Sequence, residues 1–143
     1  MPKINKSALV GYSAQQMFDL VNDVAAYQEF LPGCKRSTVL EQTQSHMKAR
    51  MLLSKAGIEK ELTTHNQLEP NKAIHMSLAD GPFKSLSGGW TFTSLADDAC
   101  KVALHLDFTF KNKLAEMAFG KIFTSLANNM VQAFTERAKQ VYK

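Results

Sequence analysis

From Lys121 to Tyr142 the chain carries one long apolar stripe at helical spacing, and that stripe dictates what the rest of the molecule has to supply. Stepped at about 100° per residue, Phe119, Ile122, Phe123, Leu126, Met130, Ala133, Phe134 and Val141 fall on one side. Lys121, Ser125, Asn128, Gln132, Glu136 and Lys139 fall on the other. A helix of this length spans roughly 33 Å at 1.5 Å per residue, the breadth of a small domain. Its apolar side needs a cover that is equally long and equally apolar.

The preceding stretch has the right pattern. Between Cys34 and Lys111 the period changes to two: Met47, Ala49, Met51 and Leu53 alternate with His46, Lys48 and Arg50, and Ile74, Met76 and Leu78 alternate with Ala73, His75 and Ser77. Cys100, Val102, Leu104, Leu106, Phe108 and Phe110 alternate with Lys101, Ala103, His105, Asp107 and Thr109. Breakers at Lys55-Ala56-Gly57, Glu69-Pro70-Asn71, Asp80-Gly81-Pro82 and Ala96-Asp97-Asp98 divide this stretch into six strands, most simply an antiparallel meander with one buried face. Lys3 to Val10 alternates as a first strand, with Ile4, Ala8 and Val10 inward. Ser13 and Gln16 form a capping box for a short helix through Met17, Phe18, Leu20 and Val21, and Asp23 to Phe30 makes a further turn or two that Pro32-Gly33 ends. Gly88-Gly89, inside the strand of Trp90 and Phe92, reads as a bulge or bend that curls the sheet. The expectation is a single α+β domain over residues 1–143. In it a curved antiparallel sheet of about seven strands wraps around a long C-terminal helix, with two short helices after strand 1.

Such a sheet is about 30 Å wide whereas a helix covers only about 10–12 Å, so the pairing tends to leave an elongated apolar space. Nine Phe and seven Met side chains are available to line that space or to fill it. The groove residues expected from parity and stripe are Leu53, Leu62, Met76, Trp90, Phe92, Leu106, Phe108, Phe123, Met130 and Phe134, all of which serve equally well as core. Lys60, Thr64 and Asn66 share the inward parity, and Lys60 either snorkels from a strand end or meets a ligand's polar head at the groove mouth. Arg137 lies near the middle of the stripe. Either its stem covers apolar surface while its guanidinium serves the helix C-terminus, or it is a polar anchor facing the pocket. Leu114, Met117 and Ala118 are out of phase with the stripe. The expectation is a kink near Gly120 that makes residues 112–119 a separate flap, with an exposed partner-binding patch as the alternative.

The chemistry-bearing residues avoid that groove. His46, His65, His75 and His105 all have outward parity, Asp97-Asp98 lies in a turn, and Glu59 and Glu61 point outward, so no inward acid, base or metal site is expected. The sequence lacks the phosphate-cradling, nucleophile-elbow and zinc-helix motifs. We expect no catalytic residues, no metal and no required cofactor, hence a binding protein rather than an enzyme. A net charge of +4 mildly favours RNA or an anionic membrane surface, although the charges are scattered. The two cysteines lie far apart and outside any Cys-x-x-Cys, the first residues resemble no targeting segment, and no apolar run reaches the ~20 residues of a membrane span. The expected setting is cytoplasmic, with at most transient contact with a membrane surface.

Six stretches together carry a resemblance. They are Leu20-Val21-Asn22-Asp23-Val24 with Tyr27, Phe30-Leu31-Pro32-Gly33-Cys34, Lys55-Ala56-Gly57-Ile58, Asp80-Gly81-Pro82-Phe83, Gly88-Gly89-Trp90-Thr91-Phe92, and Met130-Val131-Gln132-Ala133-Phe134 running on to Arg137-Ala138. Through them the chain resembles, over nearly its whole length, the START-like family of the polyketide cyclase and coenzyme Q-binding type. That family includes mitochondrial coenzyme Q-binding proteins and, more similar still, bacterial ribosome association toxins. One departure is Gln28 after Tyr27, where the family usually has proline. The resemblance implies a helix-grip fold and two functions. One is binding of ubiquinone or a similar polyprenyl lipid in the groove, in support of respiration. The other is binding of the large ribosomal subunit by a toxin of a toxin–antitoxin pair, which blocks subunit association; Lys48, Arg50, Lys101, Lys121 and Lys139 could contribute a basic surface for it. The alternatives are a lipid chaperone with no ribosome role and a cyclase-like enzyme.

Overall fold

In the computed structural model, which describes residues 3–55 and 57–142, the chain runs through β1 (Lys3–Val10), α1 (Ala14–Asn22), a 3-10 helix (Val24–Glu29), β2 (Cys34–Gln42), β3 (His46–Lys55), β4 (Ile58–Glu69), β5 (Ala73–Asp80), β6 (Phe83–Ala96), β7 (Ala99–Phe110) and α2 (Lys113–Val141). Ala56 of the β3–β4 turn motif lies outside the described residues. The strands form one seven-stranded antiparallel sheet in the order β1-β7-β6-β5-β4-β3-β2. Six consecutive strands pair as a meander, because each turn is too short for anything but an antiparallel return. β1 closes the far edge on β7, so the chain must cross the whole sheet between β1 and β2. α1 and the 3-10 helix make that crossing, with α1 against β6 and β7 and the 3-10 helix against β2.

The local signals explain the helix ends. The Ser13 hydroxyl accepts from Gln16 N at 3.0 Å while Gln16 Oε1 accepts from Ser13 N at 2.9 Å, the reciprocal box expected from the sequence. Asn112 caps α2, its Oδ1 accepting from Ala115 N at 2.8 Å.

Two expectations need correction. Gly88 and Gly89 form no bulge: both pair in register with β5 and β7, and the irregularities of β6 lie at Phe83/Ser85 and Ser94/Ala96. The reason for glycine is close approach. A Cβ on Gly88 would lie 2.0 Å from the His105 carbonyl oxygen, and one on Gly89 2.0 Å from that of Ile74, at φ of 138° and 153°. Nor is there a separate flap at 112–119, since α2 is continuous for 29 residues through Gly120. Gly120 rests on the Phe110 ring, so packing against β7 carries the helix unbroken through the residue expected to interrupt it. Leu114 and Met117 are consequently exposed, at 77% and 74%. Val141, counted in the apolar stripe, is exposed as well.

α2 packs chiefly on β1 and β7 at one flank of the sheet and on β3 and β4 at the other. Aromatic side chains fill the two ends of the space beneath it. Near the start of α2, the Phe83 ring meets Phe108, Phe110, Phe119 and Phe123 with centroids 4.8–6.1 Å apart. Toward its end, Phe134 meets Tyr27, Phe30 and Trp90 at 5.2–5.3 Å. These contacts, edge-on except for the stacked Phe83–Phe110 pair, hold both ends of the helix to the sheet.

Candidate functional site

Between the two aromatic clusters, beneath the turns of α2 from Phe123 to Met130, lies a cavity of ≈ 50 Å³. Its wall comprises Val24, Tyr27, Ala49, Met51, Leu62, Thr64, Asn66, Met76, Leu86, Trp90, Leu106, Phe123, Leu126 and Met130. One inward row across the strands reads Met47, Asn66, Met76, Gly88 and Leu106, of which Asn66, Met76 and Leu106 stand in the cavity wall. The space accommodates water but falls short of the roughly 300–1,000 Å³ of a small-molecule pocket. Three of its side chains, Met51, Met76 and Met130, are flexible thioethers that can change rotamer and admit a larger guest. The abundant Phe residues therefore fill most of the groove, and Met lines what remains.

Of the twelve residues expected at the groove, Leu62, Met76, Trp90, Leu106, Phe123 and Met130 stand in the cavity wall. Leu53, Phe92, Phe108 and Phe134 are buried in the surrounding core. The two charged residues lie elsewhere. Lys60 is exposed on a surface cleft beside Gly81, Pro82, Asn112 and Leu114. Arg137 places its guanidinium 4.9 Å over the Phe30 ring and pairs with Glu29 at 2.9 Å, joining α2 to the 3-10 helix. Its other terminal nitrogen donates to Gln140 Oε1 at 3.4 Å in the last turn of α2, and the guanidinium does not enter the cavity. Tyr27, Val24, Ala49, Met51, Leu86 and Leu126 were not in the expected set. Parity marked Ala49 and Met51 and the helical stripe marked Leu126, but Val24 and Tyr27 lie one turn apart on a 3-10 helix of six residues, too short for its three-residue period to stand out in the sequence.

The chemistry of the wall is sparse. The Tyr27 hydroxyl donates to the Val21 carbonyl, and burial, with lesser contributions from Cys34 and Asp23, pushes the phenol far above its usual range. The Thr64 hydroxyl donates to Asn66 Oδ1 at 3.0 Å. No histidine or carboxylate stands in the wall, and no group of His, Cys, Asp and Glu among the described residues is placed to hold a metal. All four histidines are on the outer face of the sheet: His46 stacks on His65 with centroids 5.5 Å apart, His75 bonds Glu69, and His105 bonds Asn5 and Asp107. Cys34 and Cys100 are buried free thiols whose pKa values burial raises. No helix among the described residues is long and apolar enough to cross a membrane.

A curved seven-stranded sheet closed by a long C-terminal helix over an apolar cavity defines a START-like, helix-grip protein. The family model described as polyketide cyclase/dehydrase and lipid transport matches residues 10–135, and the chain belongs to that family. The ribosome association toxin RatA of Vibrio cholerae serotype O1 is 62% identical over 142 residues, covering 99% of each chain. A mitochondrial coenzyme Q-binding protein of Xenopus laevis is 28% identical over 142 residues, covering 96% of this chain and 58% of its own. The crystal structure of the Zhui aromatase/cyclase from a Streptomyces species superposes with a TM-score of 0.86 at 17% identity, covering 99% and 96% of the two chains, a likeness of fold alone.

Proposed function

We propose that this protein is a ribosome association inhibitor of the RatA type, working in the cytoplasm by binding rather than catalysis. It engages the large ribosomal subunit and blocks its joining to the small one. The observation that carries this reading is 62% identity to a protein of that name along 99% of both chains. A cavity wall without histidine or carboxylate supports the non-enzymatic part. The test is sedimentation of cell extract through sucrose gradients. The protein is expected in the large-subunit fractions at low salt, with fewer intact ribosomes when it is in excess; a protein that stays at the top of the gradient defeats the proposal.

A second reading rests on the cavity. An apolar space lined by three methionines suits an isoprenoid tail, each buried methylene contributing about 0.8 kcal/mol, and the coenzyme Q-binding relative favours a quinone. We propose that the cavity takes ubiquinone or a similar polyprenyl lipid. Mass spectrometry of an organic extract of purified protein tests this directly. Stoichiometric lipid is expected in the native sample and none in a folded Leu106→Trp variant, whose indole fills the cavity. Equal lipid in both would place it elsewhere.

A further inference from the structure

We propose that the cavity reads its ligand through Asn66, and so selects an apolar molecule bearing a hydrogen-bond-accepting oxygen, such as a quinone carbonyl, over a plain hydrocarbon. The inference rests on the apolar-ligand reading and adds what recognises the ligand's head. Asn66 is 5% exposed and stands in the cavity wall, with Met47 and Met76 beside it in the sheet register.

The hydrogen-bond inventory gives the sign of the preference. Thr64 directs its hydroxyl hydrogen to Asn66 Oδ1, and Tyr27 directs its own to the Val21 carbonyl. Asn66 Nδ2 has no partner among the described residues and is not one of the fully enclosed orphan atoms, so it keeps access to the cavity space. Both hydroxyl hydrogens of the wall are thus committed internally, while the Asn66 amide N–H is left over. A donor at a cavity wall is satisfied by water until a guest displaces it, and a guest that brings no acceptor then leaves it unpaired at a cost. An asparagine in this position is accounted for when a guest supplies the acceptor. A carbonyl on a flat ring does so without bringing a hydrogen that the wall could not receive.

The test compares a short-tailed ubiquinone with a benzene analogue of the same tail that lacks both carbonyls, by calorimetry, on the native protein and on Thr64→Val/Asn66→Leu. Removing both members of the hydrogen-bonded pair with side chains of similar size preserves the packing and leaves no orphan behind. The native protein is expected to bind the quinone roughly five- to tenfold more tightly than the analogue, and the double variant to bind the two equally. The side-chain amide resonances of Asn66 in the native protein give a second readout that needs no variant, and they are expected to shift on saturation with quinone. Equal affinities in the native protein, a preference that survives the double substitution, or unmoved Asn66 amide signals at saturation each overturn the inference while leaving apolar binding standing. Failure of both probes to bind the native protein would remove the apolar-ligand reading and this inference with it.

Discussion

The Tyr27 hydroxyl is buried beneath Phe30 and Phe134 and bonded to the Val21 carbonyl, so it ties the 3-10 helix to α1 and closes one end of the cavity. Burial raises its pKa above the free tyrosine value, which sets the sign of a pH effect. Below about pH 10 the folded and unfolded chains both hold the proton; above it the unfolded chain releases the proton and the folded one keeps it, so stability falls as pH rises. Tyr27→Phe should cost about 1–2 kcal/mol at neutral pH through the stranded carbonyl, and make the alkaline limb shallower. It will not abolish that limb, because Tyr142, Cys34 and Cys100 are raised in the same direction. Urea unfolding at neutral pH and above pH 10 measures both effects, and an unchanged alkaline slope in the variant would refute the assignment. Gly88 marks the opposite extreme, a residue whose importance lies in what it lacks. Gly88→Ala puts a methyl group into the His105 carbonyl, and a loss above about 4 kcal/mol or failure to fold is expected in the same melts.

At the scale of elements, α2 carries its own test. Since the helix passes through Gly120 unbroken and a Cβ there would meet Phe110 and Glu116 at ordinary distances of 3.7–3.8 Å, Gly120→Ala should stabilise the protein by about 0.5–1 kcal/mol. A hinge at that position would make the same change neutral or harmful. Leu114→Ser with Met117→Ser should move the melting midpoint little, because both side chains already face solvent. The discrepancy with the sequence reading is physical. Amphipathic periodicity assumes that apolar residues are covered, and at the start of α2 the fold leaves two of them bare. The capping box at Ser13 and the parity of β3 and β7 were legible because each depends on neighbours a few residues apart. Arg137 was only half legible. Its place in the apolar stripe was readable, but Glu29 lies 108 residues away, and no spacing rule connects them.

At the scale of the whole molecule, one sheet presents two unlike surfaces. The sheet-and-helix architecture was legible because a stripe about 33 Å long requires a sheet to cover it, but the cavity's ≈ 50 Å³ was not, since it is a residue of packing among large side chains. The outer face is different in kind. In register across it run His46, Gln67, His75, Gly89, His105 and Asn5, beside a second row of Lys48, His65, Ser77, Ser87, Asp107 and Lys3. This broad polar face, with Arg50 and Lys101 also on it, offers hydrogen-bond donors to a phosphate backbone, and Lys3, Lys48 and Arg50 on it lie within 4.0 Å of Asp107, Glu41 and Glu61, carboxylates that a phosphate would have to displace. Lys121 and Lys139 lie away from it on the exposed side of α2. If the sheet face meets the ribosome, Lys48→Glu and Lys101→Glu should each weaken co-sedimentation with large subunits and lower the slope of its salt dependence by about one. Lys121→Glu should leave both as they were. Leu106→Trp, which alters only the inner face, should also sediment with ribosomes as the native protein does. Loss of ribosome binding in Leu106→Trp or Lys121→Glu, with Lys101→Glu unaffected, would transfer the contact from the sheet to the helix side and couple it to the cavity.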